Sequence, residues 1–374
     1  GFQQELITSY VYPLSYAMKD TMVVGEYLPS TYLSKLWIDG WPLNIFVKVT
    51  NSFFGRTGGL NHRVLAGIEW KYDGNDGKGK TYDLSRPPRM MSGNGFRPRS
   101  FAEIPALTQL SFYLEDNIYT RFLDRDAYVQ LGLRYDNVQP SGIIGTRFGT
   151  IISPRVNASY QVCPDLSVRA GYGITAKAPT LLYLYPQNAY YDLVNLNYFA
   201  ENPAERLTLI TTKVFNTENP DLKLSYNTKK EAGFDWKPGG KRISVTAFHE
   251  RTTNGYGFSS TIGSTLPMPV LRYGVAETPA GRPPSVNPVP VRTDTLMTDY
   301  MVPVNDRLNV NTGVEFDLDM GLFSSIRTSF VLNGGWMKSE SSSLNPYVTK
   351  LTTSGAESRR VGIFPSGRGT EHQR

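Results

Sequence analysis

Segments about ten residues long, apolar on one face and polar on the other, recur along this chain between connections that are alternately short and long. In "HRVLAGIEWKY", Val64, Ala66, Ile68, Trp70 and Tyr72 alternate with Arg63, Leu65, Gly67, Glu69 and Lys71. "AYVQLGLRYD" sets Ala127, Val129, Leu131, Leu133 and Tyr135 against Tyr128, Gln130, Gly132, Arg134 and Asp136. "LSVRAGYGIT" and "NVNTGVEFDLDM" repeat the pattern, the second placing Glu315 and Asp317 opposite Val314 and Phe316. A period of two makes half-apolar strands. By itself it suits a soluble sheet as well as a membrane wall.

The connections narrow the choice. Short ones join "LSFYLEDNI" to "YVQLGLRYD" (through "YTRFLDRDA"), "ISPRVNASYQV" to "LSVRAGYGI" ("CPD"), "KKEAGFDW" to "RISVTAFHE" ("KPGGK") and "LNVNTGVEFDLDM" to "IRTSFVLNGGWM" ("GLFSS"). Long ones lie between these pairs. About thirty residues follow "HRVLAGIEWKY", a further excursion begins "TAKAPTLLYLYPQNAYYDL", and about fifty residues surround "LPMPVLRYGVAETPAGRPPSVNPVPV". That last, Pro-rich stretch is expected to be an extended outer loop without one regular fold. A meander whose every second connection is long has the topology of an outer-membrane barrel, with short periplasmic turns and long extracellular loops. The expected fold is therefore all-β: part of an antiparallel transmembrane β-barrel, about 10–13 strands, each crossing in ~9–11 residues. Residues 1–43 are expected to add one or two strands and an outer loop, in a register the sequence leaves open.

Aromatic placement agrees. Trp70, Tyr72, Tyr135 and Trp336 fall at the long-loop ends of strands, and Phe234 and Trp236 at a short-turn end, as two interfacial girdles require. No stretch reaches the ~20 apolar residues of a membrane helix. A mean hydropathy of −0.32 does not exclude a barrel, whose strands expose apolar side chains on one face only.

Other chemistries find little support. Residues 74–81, "GNDGKGKT", fit the phosphate-loop pattern G-x-x-x-x-G-K-[ST], which needs a buried parallel strand before it and a helix after it. The strand before it has a polar face, and Pro87, Pro88 and Pro98 follow it, so no helix leaves this loop. "DGNDGKG" offers Asp73, Asn75 and Gly77 to calcium but lacks the bidentate Glu, since Leu84 stands where it is due. Cys163 is the single cysteine, and His62, His249 and His372 lack ligand spacing, so no metal site is expected. A net charge of +6 spread without basic runs argues against nucleic acid. No nucleophile–base pair gives enzyme chemistry or a cofactor residues to rest on.

At this point the residues resemble a known family. "GLRYD" from Gly132, "SPRVNASY" from Ser153, "RAGYGITAKAPTLLYLYP" from Arg169 and "NPDLKLSYNTKKEAGFDW" from Asn219, with Glu231 and Gly233 in an E-x-G strand, are similar to the barrel of TonB-dependent outer-membrane receptors, most like those of the Bacteroides group. "LSFYLEDNI" and "HRVLAGIEW" extend the likeness upstream. The resemblance implies a barrel of about 22 strands closed by an N-terminal plug, located in the Gram-negative outer membrane. It also implies ligand import powered by the TonB complex through that plug. Residues 1–374 are expected to be barrel domain, cut at both ends, with plug and final strands outside them.

Two groups of residues are then singled out. Arg63, Glu69, Arg134, Asp136, Arg155, Arg169, Glu231, Asp235, Glu315 and Asp317 lie on the polar faces and line the lumen, either contacting a plug or pairing with one another. Tyr183, Tyr185, Gln187, Asn188, Tyr190 and Tyr191 lie in an outer loop, where aromatic faces and amides suit a siderophore, glycan or other bulky ligand; packing on the barrel rim is the other reading of the same side chains. A passive porin and a soluble all-β binding protein remain as alternatives to a receptor.

Overall fold

The computed structural model describes residues 2–7, 13–88, 97–140, 148, 151–353 and 356–364. Ten strands pair in one antiparallel sheet: β1 (Pro42–Thr57), β2 (Leu60–Asn75), β3 (Leu107–Phe122), β4 (Arg125–Pro140), β5 (Ile151–Cys163), β6 (Leu166–Lys177), β7 (Ser225–Trp236), β8 (Arg242–Arg272), β9 (Arg292–Phe323) and β10 (Thr328–Ser343). Neighbours in order along this series are neighbours in the sheet, from β1 at one edge to β10 at the other. On one side the strands turn at 58–59, 123–124, 164–165, 237–241 and 324–327; the connections on the other side are long. The turn after β3 is tighter than expected, because pairing runs on to Phe122 opposite Arg125. Leu123 and Asp124 both take positive φ (48° and 60°), the backbone of a two-residue hairpin turn that follows the twist of its strands.

Register turns the alternation into two surfaces. Arg63, Asn117, Gln130, Asn157, Gly171 and Glu231 stand side by side across six strands. In the next row, facing the other way, come Ile118, Val129, Ala158, Ala170, Ala232, Ala247 and Val314. Exposure on this wall is the reverse of that in a water-soluble sheet. Leu114 and Leu133 are 54% and 52% exposed, whereas Ser111 and Glu69 on the polar face are 0% and 8% exposed. Such a face is stable where lipid solvates it and every strand bonds to a neighbour.

The wall continues outward in two hairpins. Strand Thr31–Asp39 prolongs β1 past Gly40 and Trp41, and strand Gly79–Tyr82 prolongs β2; they pair with each other through Asp39↔Gly79. Residues 74–81 therefore run from the end of one antiparallel-paired strand into the next with no helix after them, and five of the eight are themselves strand. The amide oxygen of Asn75 accepts from the backbone N of Trp41 at 2.8 Å and of Gly77 at 3.0 Å, so it is committed to this bend. Among residues 13–43, the expected wall strands instead join the outer structure: Thr21–Val24 pairs with Leu207–Phe215. Residues 1 and 8–12 lie outside the described residues.

The second hairpin corrects the expected Pro-rich loop. Strands β8 and β9 are 31 and 32 residues long and pair as far as Arg272↔Arg292. Pro267 and Pro269 stand two apart, so their missing N–H groups fall on one edge. Leu266, Met268 and Val270 alternate with them. Met268 and Val270 are buried with Ala189, Tyr191 and Leu193, and Leu266 packs against the same cluster. Burying that apolar face outweighs the lost donors. Only the tip, with the short strands Val275–Glu277 and Ser285–Val286, keeps the irregularity the prolines suggested.

Candidate functional site

The polar wall is wired into clusters. Glu69 pairs with Lys48 at 3.1 Å and with Arg134 at 2.7 Å, and Arg134 reaches Asp136 at 2.9 Å. Gln109 donates to the same Asp136 oxygen at 2.9 Å. Arg169 crosses β7 to Asp235 and bonds Ser244 and Thr246 on β8. Gly233 makes that crossing possible: a Cβ there would lie 2.4 Å from the Val245 carbonyl and 3.2 Å from the Arg169 guanidinium. Gly67 does the same for Tyr113, whose ring occupies the space a Cβ would fill and whose hydroxyl bonds Thr50. Glu231 pairs with Lys229 at 2.9 Å. Arg155 borders the hollow that Glu231 also lines; Glu315 and Asp317 border another beside Asn333. Arg63 faces the Phe54 ring at 5.8 Å. The ten wall residues thus share one face of the sheet, and five of them (Glu69, Arg134, Asp136, Arg169 and Asp235) pair among themselves.

Above the wall, the long connections fold into a layer of their own. Strands Ala189–Tyr198, Leu207–Phe215 and Thr21–Val24 form a sheet. Its centre is an ion pair that no local sequence pattern announces. The Arg97 side chain, 2% exposed, donates to both Asp192 oxygens at 2.8 and 3.0 Å and to the Ala17 carbonyl at 3.0 Å. Tyr190 lies against the guanidinium at 5.0 Å, Thr212 donates to Asp192 at 2.7 Å, and Gln187 donates to the Arg97 carbonyl at 2.8 Å. Four segments far apart in sequence meet at this node. Burial pushes the Tyr82 phenol up to about 12, opposed by Arg97 and assisted by Asp192. Burial also raises Tyr191 to about 12, the Asp299 charge adding to the rise and the hydrogen bond to the Asp299 carbonyl opposing it.

These contacts sort the six loop residues. Tyr190 and Tyr191 are buried, which withdraws them from any surface a ligand reaches. Tyr183 stacks on Phe258 at 5.2 Å and meets Tyr256 at 5.3 Å, fixing the short helix Leu181–Leu184 to β8. Asn188 is exposed. Tyr185 and Gln187 line a cavity of about 290 Å³. It opens between the outer end of β2, the connection to β3 and the short helix, and Lys80, Arg99, Phe101 and Leu181 complete its character. Lys80 and Arg99 are joined by a reciprocal backbone bridge at 3.0 and 3.2 Å, and Arg99 donates to the Tyr185 carbonyl at 2.8 Å. Two cations beside the amides of Asn75 and Gln187, at a cavity whose remaining lining is apolar or aromatic, fit an anionic group carried on a larger apolar or ring-bearing molecule. Neither cation was legible beforehand, because only an isolated bridge between the strand Gly79–Tyr82 and the connection that follows it brings them together.

A family model described as TonB dependent receptor-like, beta-barrel, matches residues 7–362. Among solved structures, the chain is similar to the siderophore receptor PirA from Acinetobacter baumannii (14% identity, TM-score 0.46, covering 92% of this chain and 48% of that one). It is similar to PirA from Pseudomonas aeruginosa at 15% identity and TM-score 0.46, over 89% and 51% of the two chains. The RagAB peptide transporter follows at 12% identity and TM-score 0.49, over 92% of this chain and 36% of that one. The chain thus spans about half the length of the two siderophore receptors and about a third of the RagAB chain. No curated protein sequence matches it.

Proposed function

The chain belongs to the family of TonB-dependent receptor-like β-barrels, a family of the Gram-negative outer membrane, and from that premise we propose that it walls an importer which captures a bulky, anion-bearing ligand in its extracellular layer. Inward passage is by TonB-coupled transport through a plug held against the polar wall. In this reading residues 1–374 are barrel domain, and further strands close the sheet, since an open edge in lipid leaves backbone groups unpaired.

The cavity at Lys80 and Arg99 is the observation that carries the ligand class. Tyr185 and Gln187 contact the ligand beside the two cations, Asn188 stands at the exposed end of the same segment, and Tyr183 holds the short helix that frames them. Tyr190 and Tyr191 act from below, through the packing of the layer. Siderophores, acidic glycans and peptides with a free carboxylate all meet the description; PirA is a siderophore receptor and RagAB a peptide transporter. The polar wall offers the plug both preorganised charge clusters, around Glu69–Arg134–Asp136 and Arg169–Asp235, and single charges such as Arg155 and Glu315.

The test is growth. Cells carrying the intact receptor are given siderophores as iron source, or peptides and glycans as nutrient, in strains with and without TonB. One ligand class is expected to support growth only with TonB, and Arg99→Gln is expected to weaken its binding about tenfold, the scale of a charge-assisted hydrogen bond. Uptake independent of TonB would leave a passive channel instead.

A further inference from the structure

The apolar surface of the wall is not uniform in height. Along β4 the outward positions Ala127, Val129, Leu131, Leu133 and Tyr135 are all apolar or aromatic. On β7 and β8 the apolar run is shorter. Three successive rows, Trp236–Ile243, Phe234–Val245 and Ala232–Ala247, rise from the periplasmic turn. The next outward row reads Tyr172, Lys230, His249, Thr312, and the row after it Ile174, Thr228, Arg251, Val310. Lys230 and His249 stand six residues along their strands from Trp236 and Ile243. At a rise of ~3.3 Å per residue and a tilt of ~40°, that is about 15 Å from the periplasmic edge of an apolar band about 25 Å tall. The cationic positions therefore begin just past the middle of the band, about 10 Å below its outer edge.

Lys230, His249 and Arg251 are all exposed. The His249 ring bonds Thr312 at 2.9 Å. Among the described residues neither Lys230 nor Arg251 has an ion-pair partner. Two strands farther on, Lys338 in the same row is neutralised by Glu340 at 2.5 Å, so the uncompensated charge is confined to β7 and β8. A bare cation at this depth is costly, and its long stem relieves the cost by carrying the charge toward phosphate.

We propose that the outward face of β7 and β8 binds the phosphate headgroup of an outer-leaflet lipid. Lys230 and Arg251, diagonal neighbours across the two strands, grip the phosphate between them; Tyr172 and His249 flank it, and the single row Ala170, Ala232 and Ala247 beneath leaves shallow room for acyl chains. The leaflet is drawn in locally to meet the short apolar run. This surface lies on the opposite face of the wall from the import path and does not depend on the ligand proposed above.

The intact receptor in detergent, titrated with phosphatidic acid or phosphatidylcholine and read by native mass spectrometry, tests this. The wild type is expected to hold phosphatidic acid in preference to phosphatidylcholine. The double variant Lys230→Gln/Arg251→Gln is expected to lose about thirtyfold in phosphatidic acid affinity, near fivefold for each cation, with phosphatidylcholine binding unchanged. Lys230→Arg/Arg251→Lys, which keeps both charges, retains the preference. Equal phosphatidic acid binding by wild type and the Gln variant would overturn the proposal. So would full displacement of the lipid by millimolar inorganic phosphate, which would mark a site for free anions.

Discussion

Leu114 and Leu133 on the wall stand half exposed, while Leu193, Met268 and Val270 in the layer above them are buried among other apolar side chains. The polar groups are reversed to match: Glu69, Ser111 and Asp136 are buried on the inner face of the wall, and Asp20 and Asn197 of the layer lie open. One chain therefore obeys two solvents. The wall is folded for lipid outside and a polar lumen within, and closes its backbone bonds from strand to strand. The layer is folded for water, with an apolar cluster and one buried ion pair at its centre. The boundary between them runs through β8 and β9, whose inner halves belong to the wall and whose outer halves, from about Leu266 and Tyr300, pack the layer.

The largest effect is expected from removing the charge at the centre of the layer. Arg97→Ala leaves Asp192 buried without its cation, and breaking such a pair costs about 3–5 kcal/mol. The loss falls on the layer alone: limited proteolysis from the cell surface should cut it readily, while heat-modifiable migration of the barrel stays as in the wild type. Melting of wall and layer together would show that they are one cooperative unit.

A smaller effect separates the two faces of the wall itself. Val156 and Asn157 are consecutive on β5; one faces lipid among Leu131 and Tyr172, and the other bonds Gln130 at 2.6 Å on the polar face. Val156→Arg is expected to cost about 2–4 kcal/mol near mid-depth. Asn157→Arg forfeits one neutral hydrogen bond, about 1 kcal/mol. Chemical unfolding from lipid vesicles measures both, and equal costs would mean that the faces have been assigned wrongly.

The wall was legible because its cause is local. A period of two along "AYVQLGLRYD" fixes both faces, and a short "CPD" or "KPGGK" fixes which strands are neighbours. That the ten wall residues share one face followed from parity alone. The layer obeys no such rule. Arg97 meets Asp192 across 95 residues, and Lys80 meets Arg99 through a bridge outside any regular sheet. The prolines of "LPMPVLRYG" carried a local signal for irregular chain, and the burial of Met268 and Val270 against a distant strand overrode it. Even within the readable part, the aromatic rings of "YLYPQNAYYDL" looked alike, yet the fold buries Tyr190 and Tyr191 and leaves Tyr185 at a cavity.

The smallest effect comes from the phenols that burial holds neutral in the layer. Tyr82 and Tyr191 have folded pKa values of about 12, above the ordinary value of 10.0. Between these limits the unfolded chain has lost the proton and the folded one keeps it, so the folded state binds more protons and stability falls as pH rises. Their contribution is whole below pH ~10 and gone once pH passes ~12, on the order of 2 kcal/mol for each phenol. The layer should therefore loosen across that window. Absorbance at 295 nm, which reports tyrosinate, should show a late-ionising component in the intact receptor, and Tyr82→Phe and Tyr191→Phe should each remove part of it. Ionisation of both phenols near the ordinary value would mean that water reaches them, and that the layer lacks the dry interior that sets it apart from the wall.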